Sequence, residues 1–116
     1  MIHETDIPRG FTTDPMDYSY WVEGKIITEG EVRLVENTLG LVGEAGEVAE
    51  KIKKYLRDNT KVDKQDIVSE LGDVVFYATA LANFFYSNPN DVMETNMAKL
   101  NDRAERGVIK GSGDKR

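Results

Sequence analysis

Apolar residues recur along this chain at three- and four-residue intervals, and no segment alternates convincingly with period two, so the pattern predicts helices and no sheet. One stripe runs through Leu41, Ala45, Val48, Ile52, Tyr55 and Leu56, and another through Ile67, Leu71, Val74, Ala78, Leu81 and Phe85. Start and stop signals bracket four helices. Asp14-Pro15, with Asp17 three residues after the cap, opens a first helix over 15–27. Thr28 and Glu31 make a capping-box pattern ahead of a second over 29–57, and Arg57-Asp58-Asn59-Thr60 reads as the polar turn behind it. Asp63 with Asp66 starts a third over 64–86. Asn88-Pro89 with Asp91 starts a fourth over 89–105, and Gly107 ends it. The expected fold is an all-α four-helix bundle in a single domain over 1–116. An irregular lead over 1–13 and a basic tail over 107–116, flexible by composition, flank it.

Glycine breaks the local rules. Gly40, Gly43 and Gly46 stand at three-residue intervals inside the second helix, each costing about 1 kcal/mol relative to Ala. Close approach by another helix is the favoured explanation, with a break near Gly40 as the alternative.

Two phrases on neighbouring helices repeat one order, acid-x-Gly-acid-Val: Glu44-Ala45-Gly46-Glu47-Val48 and Glu70-Leu71-Gly72-Asp73-Val74. Acids three apart on a helix sit about 60° from one another, so each phrase presents two carboxylates on one edge. By the same rotation Glu44 and Glu47 lie about 80° and 140° to one side of their stripe, and Glu70 and Asp73 fall at matching offsets. If the stripes pack together, all four acids converge along one rim. Like charges gathered there repel and lose water unless a cation sits among them. Oxygen-only ligands suit Mg²⁺, with Mn²⁺ as a substitute. A lone Glu-x-x-Glu is ordinarily a solvated face; the repetition of Gly, Val and offset carries the metal reading. Glu50 points away from the stripe and is taken as a surface or supporting acid.

Composition narrows the classes. At 116 residues, 40% apolar and 31% charged, the chain supports one core, though a small one that oligomerisation would help. Cysteine is absent, which excludes disulfides, thiolate metal sites and thiol nucleophiles and fits a reducing cytosol. One histidine, His3, and no Glu-x-x-His motif exclude the di-iron bundle. No apolar run approaches the roughly 18 residues of a membrane span, and the amino terminus lacks a signal-peptide pattern. The expectation is a soluble cytoplasmic protein with no membrane partner. A net charge of -6 argues against binding nucleic acid. From Lys99 onward six bases face three acids, so an acidic centre and a basic end can hold a metal and an anion together.

Other side chains have two readings each. Trp21, Tyr18 and Tyr77 serve as core aromatics, or else Trp21 or Tyr77 stacks on a nucleobase. Phe76 projects opposite its helix's stripe and is expected at a subunit contact. Lys51 and Lys54 compensate charge through pairs such as Glu47 with Lys51 and Glu50 with Lys54, in preference to meeting a substrate.

At these residues the chain resembles the MazG-type nucleotide pyrophosphohydrolases, an all-α family marked by Glu-x-x-Glu and, further along, Glu-x-x-Asp. The words Gly40-Leu41-Val42-Gly43-Glu44-Ala45-Gly46-Glu47 and Glu70-Leu71-Gly72-Asp73 are similar to the family's own. Asn96-x-x-Lys99-Leu100-x-x-Arg103, then Gly107 and Gly111-Ser112-Gly113-Asp114, resemble the small phage and bacterial members, and the likeness covers 28–114. It implies a four-helix MazG-like bundle that hydrolyses a (deoxy)nucleoside triphosphate to the monophosphate and pyrophosphate. It also implies Mg²⁺ dependence, a house-cleaning role and assembly as a homodimer or tetramer. By matched position Glu44, Glu47, Glu70 and Asp73 are the implied metal ligands and catalytic acids. Asn96, Lys99 and Arg103 are the implied phosphate or nucleotide contacts. Two rivals stand beside this: a related hydrolase acting on phosphoribosyl-ATP or a similar anhydride, and a non-catalytic helical protein that binds a metal or a partner helix.

Overall fold

The computed structural model describes residues 13–107, and it is helical: α1 (Pro15–Lys25), α2 (Gly30–Asp58), α3 (Lys64–Phe84) and α4 (Pro89–Arg106), with no strand among the described residues. The all-α expectation holds. His3, most of the lead and nearly all of the tail fall on residues 1–12 and 108–116, outside the described residues.

Local chemistry sets most of the boundaries. Asp14 accepts from the Met16 N–H at 2.7 Å, Asp63 from the Gln65 N–H at 2.9 Å and Asn88 from the Asp91 N–H at 2.8 Å, so three of the four helices carry a side-chain N-cap. Asn59 (φ 52°) and Gly107 (φ 73°) end α2 and α4 in the left-handed conformation. Three expectations need correction. The third helix stops at Phe84, not at 86, and Tyr86 takes φ 59°. The first helix stops at Lys25, not at 27, because Ile26 turns extended and is followed by β-branched Ile27 and Thr28. The Thr28–Glu31 capping box does not form. Gly30 adopts φ 56°, which places Glu29 at the N-cap without a side-chain bond.

α3 is the central element. α2 packs antiparallel along one side of it, α1 and α4 pack elsewhere on it and on each other, and α4 makes no helix contact with α2. Matched pairs fix the register of the α2–α3 seam: Gly40 against Tyr77, Glu44 against Glu70 and Asp73, Lys51 against Asp66. At the α1 side Ser19 Oγ donates to Asn83 Oδ1 at 2.7 Å, and Asn83 Nδ2 donates back to the Ser19 carbonyl at 3.2 Å. Arg33 clasps three helices. It pairs bidentately with Glu23 of α1, donates to the Ala80 carbonyl of α3 at 3.0 Å and lies over the Phe84 ring.

α2 is continuous through its glycines, so the break near Gly40 does not occur. Close approach is real at Gly40 alone: a Cβ there would come 2.5 Å from the Tyr77 ring, whereas Gly43, Gly46 and Gly72 have nothing nearby.

The face that α2 turns to α3 is only partly its predicted stripe, of which Leu41 and Val48 are half-buried. The seam carries Arg33, Asn37, Gly40, Glu44 and Lys51, while Ile52, Tyr55 and Leu56 are exposed. On α3, Leu71 and Phe85 are likewise exposed. Among the described residues only Val22, Ala80 and Ala82 are fully buried apolar side chains. Val32, Val35, Leu39 and Val42 line the side of α2 turned away from the seam, each at least half exposed. Phe76 packs edge-on to Trp21 at 6.1 Å between ring centres and stays half-buried.

α3 also amends the expectation about apolar runs, being long and apolar enough by length and composition to cross a membrane. It carries four charged residues, Lys64, Asp66, Glu70 and Asp73, and α2 packs along it.

Candidate active site

Helical spacing places Glu44 on the seam side of α2 and Glu70 and Asp73 on the edge of α3 that meets it. One carboxylate oxygen from each of the three lies within 4.8 Å of the others. Glu44 and Glu70 are half-buried and Asp73 is exposed, so the trio opens to solvent at one side. Glu47, the fourth predicted acid, is exposed and outside this trio, though its charge still reaches Glu44.

The electrostatics follow from the crowding. Burial holds the Glu44 carboxyl above its ordinary range, and a hydrogen bond with Glu70 and the charges of Asp73, Glu70 and Glu47 push it the same way. Such a cluster favours a proton or a cation. All of its donors are carboxylate oxygens, which fit a hard divalent ion and not a thiophilic one.

Lys51 crosses the seam: its Nζ lies 3.8 Å from Asp66 and 4.0 Å from Glu70. The pairing expected within α2 gives way to a bridge between helices that neutralises part of the acidic patch. Its helical register could have shown this, since Lys51 stands two turns beyond Glu44 on the same face of α2.

An aromatic wall adjoins the acids. Trp21 stacks on Tyr18 with ring centres 5.8 Å apart, meets Phe76 edge-on, and Phe76 meets Tyr77 edge-on at 5.3 Å. Trp21 is 54% exposed, so it is not an enclosed core residue. Burial, and then the charge of Asp73, raise the Tyr18 phenol above its ordinary value, which places Tyr18 within electrostatic reach of the cluster. The sequence offered no signal for that approach, because α1 meets α3 through non-local packing.

The α4 candidates lie apart from α2. Asn96 is exposed, Lys99 half-buried and Arg103 buried within the chain at 4% exposure. The structure therefore gathers Glu44, Glu70 and Asp73, sets Tyr77 and Trp21 along one flank, and leaves Asn96, Lys99 and Arg103 on a helix that does not contact α2.

An antiparallel helix pair that aims carboxylates from both arms at one point defines a small all-α protein with an oxygen-donor centre between helices. Residues 34–108 match the family model of the MazG nucleotide pyrophosphohydrolase domain, and the chain belongs to that family. It is 49% identical over 83 residues to the Gene 37 protein of Mycobacterium phage L5, an alignment covering 68% of this chain and 73% of that protein. No solved structure matches it. Membership brings nucleotide pyrophosphohydrolase chemistry in general, with a nucleotide as substrate and the metal dependence typical of the family.

Proposed function

We propose that the protein hydrolyses a (deoxy)nucleoside triphosphate to the monophosphate and pyrophosphate with Mg²⁺, or Mn²⁺ in its place, as nucleotide-pool house-cleaning in the cytoplasm. The observation that carries this reading is the convergence of Glu44, Glu70 and Asp73 within 4.8 Å from two helices. These residues would hold the cation, with Glu47 completing the acidic set from the α2 side. When bound, the ion supplies charge neutralisation at the phosphate oxygens and a more acidic water.

The remaining roles belong to the chain's own groups. The uncompensated acids repel a bare triphosphate, so the cluster selects the metal-complexed substrate. Trp21 is stacked on Tyr18 and covered by the Lys25 ammonium 5.5 Å from its ring centre, so it takes a base only once Lys25 swings aside, and Tyr77 walls the same flank. Lys51 offsets charge beside Glu70. Asn96 and Lys99 share one face of α4 and are assigned to the phosphates, whereas Arg103, buried within the chain, is not.

Assembly as a homodimer or tetramer belongs to the same reading. Three buried apolar residues among those described make a slight core, and the outward side of α2 bears Val32, Val35, Leu39 and Val42 in helical register.

A panel of ribo- and deoxyribonucleoside triphosphates and phosphoribosyl-ATP, with and without Mg²⁺ and scored by pyrophosphate release, tests the proposal. Mg²⁺-dependent release from a triphosphate is the expected result. Metal binding without turnover of any nucleotide would return the protein to the non-catalytic class.

A further inference from the structure

Asn37 stands on the seam-facing side of α2 between Arg33 and Gly40, 4% exposed, and its amide Nδ2 has no hydrogen-bond partner. That amide is a two-proton donor enclosed away from water, and an apolar side chain of similar volume would fill the place without the desolvation penalty. The folded chain leaves that donor unpaired.

Its position relates it to the acids. Asn37 precedes Glu44 by two helical turns on the same face of α2, about 10.5 Å along the axis, a span commensurate with a nucleoside between its α-phosphate and the far edge of its base. Between them Gly40 carries no side chain, and the Tyr77 ring fills the gap, with three ring atoms 2.5 to 2.7 Å from where a Cβ would sit. Tyr77 leads through Phe76 to Trp21, the aromatic flank suited to a base.

We infer that Asn37 is a specificity-determining residue: with phosphates at Glu44, Glu70 and Asp73, its Nδ2 donates to a ring carbonyl or ring nitrogen of the nucleobase. Rotation of Tyr77 off Gly40 and onto the face of the base opens the way without moving the helix backbone. The donor left unmet in the free protein is then met only when a base with an acceptor at the right edge position is bound. This rests on the hydrolase reading above and adds the group that discriminates among substrates.

The test compares wild type with Asn37→Leu and Asn37→Ala. kcat/KM is measured for dATP, dCTP, dGTP and dTTP with Mg²⁺ by pyrophosphate release, and thermal melts are run without metal or nucleotide. The Leu variant is expected to melt no lower than wild type. Both variants should lose about tenfold or more in kcat/KM for the preferred nucleotide, mainly through KM, with the spread among the four bases narrowed. An unchanged ranking of bases in active variants overturns the assignment. So does a lowered melting temperature in the Leu variant with equal losses on all four nucleotides, because that is a packing role. If the Leu variant does not fold, the base ranking of Asn37→Ala decides alone. Wild type inactive on every nucleotide removes the hydrolase reading and this one together, whereas active enzyme with unchanged selectivity removes only Asn37.

Discussion

Glu44 on α2 and Glu70 on α3 bring carboxylate oxygens within 4.8 Å of each other across the seam, and burial and the neighbouring acids raise the Glu44 pKa. The folded chain therefore binds the Glu44 proton more tightly than the unfolded chain does. Its stabilising contribution is fully present below the ordinary carboxyl pKa and is lost as pH rises through the raised folded value. In EDTA the melting temperature should fall across that window, and Glu44→Gln should flatten the fall. Added Mg²⁺ should raise the melting temperature most above the window, where the acids are ionised. Differential scanning fluorimetry across pH checks this, and identical profiles for wild type and Glu44→Gln would sink it.

Asp73 belongs to the trio and Glu47 does not, yet both are assigned to the acidic set. Asp73→Asn and Glu47→Gln should each abolish turnover, by about 100-fold or more, with far-ultraviolet circular dichroism unchanged. Near wild-type rates in both would remove the assignment.

Arg33 is expected to matter more for stability than any acid of the site. Its side chain is 13% exposed and bonded to two other helices, so Arg33→Ala should cost about 3 kcal/mol by breaking a largely buried pair. Glu23 is 43% exposed, and solvent screening reduces Glu23→Gln to about 1 kcal/mol or less. The hydrogen bond from Arg33 lowers the Glu23 pKa, so this contribution is present above the ordinary carboxyl value and disappears as pH falls through the lowered one. Urea titrations at neutral and acid pH measure both.

Gly40→Ala places a methyl group 2.5 Å from the Tyr77 ring and should destabilise by about 1–3 kcal/mol despite the better helix propensity of Ala. Repeating the change in a Tyr77→Ala background should recover most of that loss. Additive effects in the double variant would show that the ring and the glycine are not coupled.

Leu39→Glu and Val42→Glu, on the outward side of α2, should leave the helices formed and shift the protein to smaller species in sedimentation velocity. A wild type already monomeric at every concentration tested rules out the oligomer.

Much of this was legible in the sequence because it depends on neighbours in the chain. Asp14, Asp63 and Asn88 cap where their local patterns say, and of the four acids the repeated acid-x-Gly-acid-Val phrase marks, Glu44, Glu70 and Asp73 gather while Glu47 stays outside. The seam was misjudged for a physical reason. Periodicity ranks the sides of a helix by apolarity, whereas α2 meets α3 through Arg33, Gly40, Glu44 and Lys51. Those contacts are non-local and partly electrostatic, so no window of sequence contains both members. The Thr28–Glu31 box failed through one backbone torsion at Gly30, which composition permits and does not announce.

The three converging acids all come from the α2–α3 pair, whose connection is only residues 59–63. Closing so short a loop sacrifices little chain entropy, and the contacts it rewards are near in sequence. The chemically active part should therefore be among the earliest pieces to organise during folding. It could take shape on a nascent chain before the last helix has been synthesised.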